Sequence, residues 1–282
     1  MNGTDTDKNR GYELVVFDLD GTLVDDKLVI DNRDMESIQE ARHRGMEITL
    51  ATGRTFQSAL PYIRELQIVV PVILCNGAAI VDPATEKILY QRKLSKGSAA
   101  FILEEARHTN LDCLLYRDPL TSCPCVGWLT PILRDYILLE GLHCAEVNDL
   151  QEVVHSCPPI KMQIVGDEDA LLTVKKSYGR RFPQVSLLMT QKDYLEAMPA
   201  GVSKGAALVK LSTLLQVPLS KIVAFGDSVN DEELLALAGL GIAMAGAPEA
   251  LKKAADATAP GVAAGLRRLL SMAGAVDTLD RG

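Results

Sequence analysis

Short apolar runs alternate along the chain with stretches whose apolar positions recur every three or four residues, and the order of the two patterns predicts the architecture. Leu14 to Phe17 is an apolar run of β-formers. From Asn32 onward Met35, Ile38 and Ala41 recur at helical spacing until Gly45, which ends the helix as a left-handed C-cap would. "MEITLATGR" reads as a second buried strand that breaks at Thr52-Gly53. "FQSALPYIRELQ" follows with a helical face of Phe56, Ala59, Ile63 and Leu66, and "PVILCNG" is a third strand. Strand, helix, strand, helix, strand is the order of a parallel, doubly wound sheet.

After Gly77 the pattern changes. "AAIVDPATEKILYQRKL" predicts a hairpin turning at Pro83, Ala84 and Thr85. Beyond it come a helix in "SAAFILEEARH", strands in "LDCLLYR" and "IKMQIVG", a helix in "EDALLTVKKSYGRRF", and a terminal strand pair in "QVSLLMT" and "DYLEAMP". That order suits an antiparallel sheet with helices on one face. The piece between Asp118 and Asn148 carries no assignable pattern. From Val202 the alternation of helix and strand resumes through "SKGAALVKLSTLLQ", "KIVAFGD", "DEELLALAG", "LGIAMAG" and "VAAGLRRLLSMAG". The expected fold is α/β: a doubly wound, Rossmann-like parallel-sheet core of residues 1–83 and 197–282, interrupted by an α+β unit at 84–196.

Composition narrows the function. With 282 residues and 48% hydrophobic content the chain can bury a large core. Its formal charge of −8, without a Lys/Arg run, argues against nucleic acid as a partner, so an anionic substrate has to be held by a local group of cations. The opening "MNGTDTDKNRGY" lacks the apolar core of a secretory signal, and the longest apolar stretch is too short to span a bilayer. The expectation is a cytoplasmic protein without a membrane partner. Six scattered cysteines predict no disulfide framework, and Cys123 and Cys125 lack the second pair that a structural zinc site needs. His43, His108, His143 and His155 stand at no strand end and read as surface residues; Tyr116 and Trp128 read as packing residues.

The chemistry gathers at strand ends, where the loops of an open parallel sheet converge on a crevice. Asp18 and Asp20 end the first strand, Thr52 and Gly53 the second, Asn76 the third, and Asp227, Asn230 and Asp231 follow "KIVAFGD"; Lys204 opens a helix beside them. Crowded carboxylates raise one another's pKa unless a cation holds them ionised. Mg²⁺ suits such a place, because it takes a few carboxylate oxygens and pairs with phosphate. A strand-end Asp can act as a nucleophile, and a second carboxyl two residues on points the same way and can move protons.

"DLDGTL", "TGR", "GVSKG" and "GDSVND" stand in the order and context of the four motifs of the haloacid dehalogenase superfamily, which the chain resembles. "LCNGAAI", "DYLEAMPAGVSKGAAL" and "AMAGAPEALKKAAD" are similar to its Cof-type phosphatases, which carry a large α/β cap between the second and third motifs. The likeness covers nearly the whole chain, leaving out the first dozen residues, the middle of the cap and the tail after about Ala273. Leu234-Leu235 stand where the family usually has Met-Leu, an exchange that keeps apolar volume.

The resemblance implies that Asp18 is the nucleophile and a metal ligand, and that Asp20 is the general acid and base and binds metal through its backbone carbonyl. Thr52 and Lys204 would hold the phosphoryl group, with Gly53, Arg54, Asn76 and Asn230 around it. Asp227 would ligate Mg²⁺ directly, with Asp231 completing the metal site from behind. The activity implied is Mg²⁺-dependent hydrolysis of a small phosphorylated metabolite (sugar phosphate, nucleotide or phosphorylated cofactor) through an aspartyl-phosphate. The alternatives are a phosphomutase, which hands the group to a sugar hydroxyl, and a catalytically silent binder of phospho-metabolites.

Overall fold

The computed structural model describes residues 11–25, 27–121, 123–127, 129–139 and 142–277; Trp128 lies outside the described residues. The elements up to the hairpin are β1 (Leu14–Phe17), α1 (Asn32–His43), β2 (Glu47–Leu50), α2 (Phe56–Glu65), β3 (Val72–Leu74), β4 (Ala79–Val81) and β5 (Ile88–Gln91). Next come α3 (Lys96–His108), β6 (Asp112–Tyr116), β7 (Cys125–Val126), α4 (Pro131–Leu139), β8 (Ala145–Glu146), α5 (Leu150–Ser156), β9 (Lys161–Val165), α6 (Glu168–Arg181), β10 (Val185–Gln191) and β11 (Tyr194–Pro199). The chain closes with α7 (Lys204–Leu215), β12 (Ile222–Gly226), α8 (Glu232–Leu237), β13 (Leu240–Met244), α9 (Glu249–Ala254), β14 (Ala257–Ala259) and α10 (Val262–Asp277).

A parallel sheet of order β14-β13-β12-β1-β2 forms the base. β1 is fully buried because both its faces are covered, which explains an unbroken apolar run where an alternating one would mark a half-exposed strand. Val15 and Phe17 pack with Ile38 of α1, Phe56 and Ile63 of α2 and Leu266 of α10. Leu14 and Val16 pack on the other side with Leu208 of α7, Leu234 of α8 and Leu251 of α9. The order reverses between β1 and β12, so a crevice opens beyond their carboxyl ends.

The third apolar run departs from the expected pattern. β3 pairs antiparallel with β4, β4 with β5, and the three make a separate sheet that meets the second parallel strand at one bridge, Ala51 to Ile73. Two consecutive left-handed residues, Cys75 (φ 51°) and Asn76 (φ 53°), followed by Gly77 (φ 94°), turn the chain straight back on itself. A Cβ at Gly77 would collide with the Ser203 carbonyl, so glycine is needed there for close approach as well as for the turn.

The interrupting segment holds a sheet of order β10-β11-β9-β6-β7-β8, antiparallel except for β7 with β8. Strand alternation gives it two different faces. Cys113, Leu115, Met162, Ile164, Leu195 and Ala197 pack under α3, α5 and α6. Leu114, Tyr116, Val165, Tyr194 and Met198 point the other way, into the cluster that continues to the base. The helices are not all on one face: Leu133 and Tyr136 of α4 join this second side, with the Tyr136 and Tyr194 rings 4.6 Å apart. The unassigned segment also has a local role in the base. Thr55 stands at the N-cap of α2 with its hydroxyl on Ser58 rather than on a helix N–H, and the Pro119 and Leu120 carbonyls accept the Phe56 and Gln57 N–H groups at 2.7 and 3.1 Å.

Candidate active site

Asp18 leaves β1 at the centre of the crevice, 4% exposed, its own N–H bonded to the Phe225 carbonyl at 2.9 Å. Lys204 is the first residue of α7, which Ser203 caps by accepting the Ala206 N–H, and only 1% of its surface is exposed. Its Nζ lies 2.5 Å from Asp18 Oδ1 and 2.6 Å from Asp231 Oδ1. A lysine placed against the positive end of a helix is unfavourable by itself, and these two carboxylates reverse the balance. Burial pulls the ammonium toward deprotonation, but Asp18 and Asp231 outweigh it and its pKa rises.

Asp227, after β12, receives the Thr22 hydroxyl at 3.2 Å. Gly21, at φ 83°, lets the loop after β1 pass over the Asp227 carboxylate, where any Cβ would collide. Asp18, Asp227 and Asp231 each offer an oxygen, all within 4.8 Å of one another. Burial pushes the Asp18 carboxyl up to about 8; Lys204 opposes the shift, and Asp231 and Asp227 add to it. Burial raises Asp227 as well. Three carboxylates against one ammonium are short of positive charge, and an all-oxygen donor set of this kind fits a hard divalent cation. Asp231 is the least available donor, since its Oδ1 takes Lys204 and its Oδ2 takes the Asp227 and Ser228 N–H groups, both at 3.1 Å. It holds the loop and the lysine in place.

The Asp20 carboxylate stands apart from the acidic group. Arg54 grips it with Nε at 2.9 Å and Nη2 at 2.5 Å, while the guanidinium lies 5.1 Å from the Tyr62 ring centre. The structure thus directs Arg54 to Asp20. Thr52 is fully buried, and its hydroxyl accepts the Arg54 N–H at 3.1 Å. Its carbonyl accepts the Asn76 N–H at 3.0 Å, which ties the turn after β3 to the loop after β2. Asn230 donates to Asn76 Oδ1 at 3.1 Å, and a Cβ at Gly53 would lie 3.0 Å from that same oxygen. Asn76, Lys204 and Asn230 share a cavity of about 480 Å³ with Ser186 and Leu188 of the inserted segment and with Met198, near the end of β11. The nine residues singled out at strand ends and at the start of α7, together with Arg54, lie around one crevice. The four histidines lie on the surface.

Sequence reading missed two residues. Lys161 of β9 and Glu196 of β11 form a buried ion pair at 2.7 Å on the base-facing side of the inserted sheet. The signal was present in "IKMQIVG" and "DYLEAMP", because a charge inside a strand that is otherwise buried needs a partner.

The site offers a buried carboxylate at a switch point, a second carboxylate two residues on, and a buried lysine, a set suited to phosphoryl chemistry. The family profile described as haloacid dehalogenase-like hydrolase matches residues 15–264. An HMP-PP phosphatase of Cronobacter sakazakii is 32% identical over 244 residues, 83% of this chain and 84% of the relative. An HMP-PP phosphatase of Serratia proteamaculans is 29% identical over 245 residues, 86% of each chain. A crystal structure of a haloacid dehalogenase-like hydrolase from Bacteroides thetaiotaomicron superposes with a TM-score of 0.82 at 28% identity, covering 92% of this chain and 99% of that one. The chain belongs to the haloacid dehalogenase-like hydrolases, in their Cof-type branch, and is a phosphatase. Among the described residues no helix is long and apolar enough to cross a membrane.

Proposed function

We propose that the chain is a Mg²⁺-dependent phosphatase of small phosphorylated metabolites that works through a phosphoaspartate on Asp18. The observation that carries this reading is the Asp18 carboxylate, buried at the switch point with Lys204 at 2.5 Å and Asp227 and Asp231 beside it.

Asp18 attacks phosphorus while Asp20, two residues along, gives a proton to the leaving oxygen; Asp20 then takes a proton from the water that hydrolyses the acyl phosphate. Arg54 sets the direction of the Asp20 carboxylate by its two-pronged contact. Lys204 has three N–H groups, of which Asp18 and Asp231 use two, so the third remains for a phosphoryl oxygen. Thr52 uses its hydroxyl oxygen as an acceptor and keeps its proton for the same group. Asp18 and Asp227 would hold Mg²⁺ with the Asp20 carbonyl, and Asp231 would support them. When bound, the ion supplies charge stabilisation for the transferring phosphoryl oxygens.

Residues 84–196 are proposed as the cap that covers the crevice and selects the leaving group. The contribution of Ser186 and Leu188 to the cavity supports that assignment. The naming of the two relatives as HMP-PP phosphatases supports a small phosphorylated substrate. The test is a screen of phosphorylated metabolites for phosphate release, with Mg²⁺ and after chelation. Release that requires Mg²⁺ is expected. Silence toward every compound, or isomerisation of a phosphosugar without free phosphate, would overturn the reading.

A further inference from the structure

Lys161 and Glu196 come from neighbouring strands of the inserted sheet, yet their outward contacts are to the base. Glu196 Oε1 takes the Lys161 ammonium at 2.7 Å, and Glu196 Oε2 takes Asn76 Nδ2 at 2.8 Å. Lys161 reaches the Gly53 carbonyl at 3.4 Å and lies 4.8 Å from the Tyr116 ring centre. Asn76 in turn accepts from Asn230 through Oδ1, and Asn230 accepts the Ser228 hydroxyl. A continuous chain of polar contacts therefore runs from Lys161 through Glu196 and Asn76 to the loop that carries Asp227.

A carboxylate can only accept hydrogen bonds, so Glu196 decides which way the Asn76 amide faces: nitrogen to the inserted sheet, oxygen to Asn230. One amide N–H is used on Glu196, and the other remains for an anion in the cavity that Asn76 lines. Lys161 is the counter-ion that allows Glu196 to sit 6% exposed and still act as an acceptor. The geometry points to Glu196 as a positioning residue for phosphoryl binding, acting through the Asn76 amide, with Lys161 as its charge partner. Seating the inserted sheet on the base thus completes the phosphate site. This inference rests on the phosphatase reading above.

Two double variants separate positioning from mere support. Lys161→Met with Glu196→Gln and Lys161→Met with Glu196→Leu are both uncharged, and only the first keeps an oxygen for Asn76. In p-nitrophenyl phosphate hydrolysis the Gln form is expected to exceed the Leu form in kcat by about ten-fold, the usual scale for an outer partner of a site. Inorganic phosphate should inhibit it correspondingly more strongly, with both forms melting at similar temperatures. Equal kcat and equal phosphate inhibition in the two forms would overturn the proposal. If the Leu form does not fold, the isosteric Glu196→Gln variant decides. With Lys161 in place the single amide oxygen of Gln goes to the ammonium and its NH2 meets Asn76, so kcat should fall and the fall must vanish in an Asn76→Ala background; no fall, or one that persists there, refutes action through Asn76. A wild type that hydrolyses nothing overturns the phosphatase reading and this inference together, whereas active variants that do not differ overturn this one alone.

Discussion

Two buried lysines hold the molecule's charged interior, and they are balanced differently. Lys161 faces one carboxylate, Glu196, and the neutral amide of Asn76 completes the arrangement. Lys204 faces Asp18 and Asp231, with Asp227 in the same group. Both ammonium groups are driven up in pKa by their partners against the pull of burial. The first pair is neutral and complete. The second group is short of positive charge: burial moves the Asp18 carboxyl up to about 8, Lys204 does not cancel that shift, and Asp231 and Asp227 add to it. A balanced buried pair fixes geometry; an unbalanced one stores a demand for a ligand.

The largest effect that tests this contrast comes from Asp18→Asn. Turnover should fall by a factor on the order of 10⁵ or more for every substrate, since the nucleophile is gone. The variant still leaves Lys204 a charged partner in Asp231, so the metal-free protein should lose less than about 1 kcal/mol of stability or gain some. Phosphate release and urea unfolding measure the two halves, and a large loss of stability would mean that the Asp18 charge is not in excess.

Lys161→Met attacks the balanced pair and should behave in the opposite way. Glu196 is then a buried carboxylate without a counter-charge, and unfolding should become easier by about 3–5 kcal/mol. A urea midpoint unchanged from the wild type would remove the pair from the list of buried interactions that matter.

The smallest expected effect is at the ligand side of the unbalanced group. Asp227→Ala lies on a loop and should leave the fold intact while raising the Mg²⁺ concentration for half-maximal activity by about 10- to 100-fold. A Mg²⁺ titration that superposes on the wild type would take Asp227 out of the ligand set.

The base of the molecule was largely legible in the sequence because its strands are buried on both faces and its candidate site residues follow those strands directly. Asp18, Thr52 and Asp227 each stand one residue or two beyond an apolar run, so local pattern and position in the fold coincide. The inserted segment was legible only as a set of elements. β7, α4 and β8 are too short or too mixed in composition to announce themselves, and α4 settles on the face opposite α3, α5 and α6 for reasons of packing. The strand before Asn76 reads correctly as a strand and meets the second parallel strand at a parallel bridge, but its main pairing is antiparallel with β4, because the left-handed pair Cys75-Asn76 reverses the chain; Asn76-Gly77 is suited to such a turn, whereas nothing marks Cys75 for it.

The sequence by itself determined the doubly wound base and the nine polar residues, with Gly53, that converge on one crevice, since each depends on contacts within a few residues and on the rule that parallel strands end on one side. Only the tertiary structure decided that Arg54 holds Asp20 and that Lys161 pairs with Glu196 35 residues away. It also decided that Glu196 turns the amide of Asn76, 120 residues earlier. Such pairings join different elements across the interior, and the energy that selects them is the desolvation of each charge in its final surroundings, a quantity that does not exist until those surroundings are assembled.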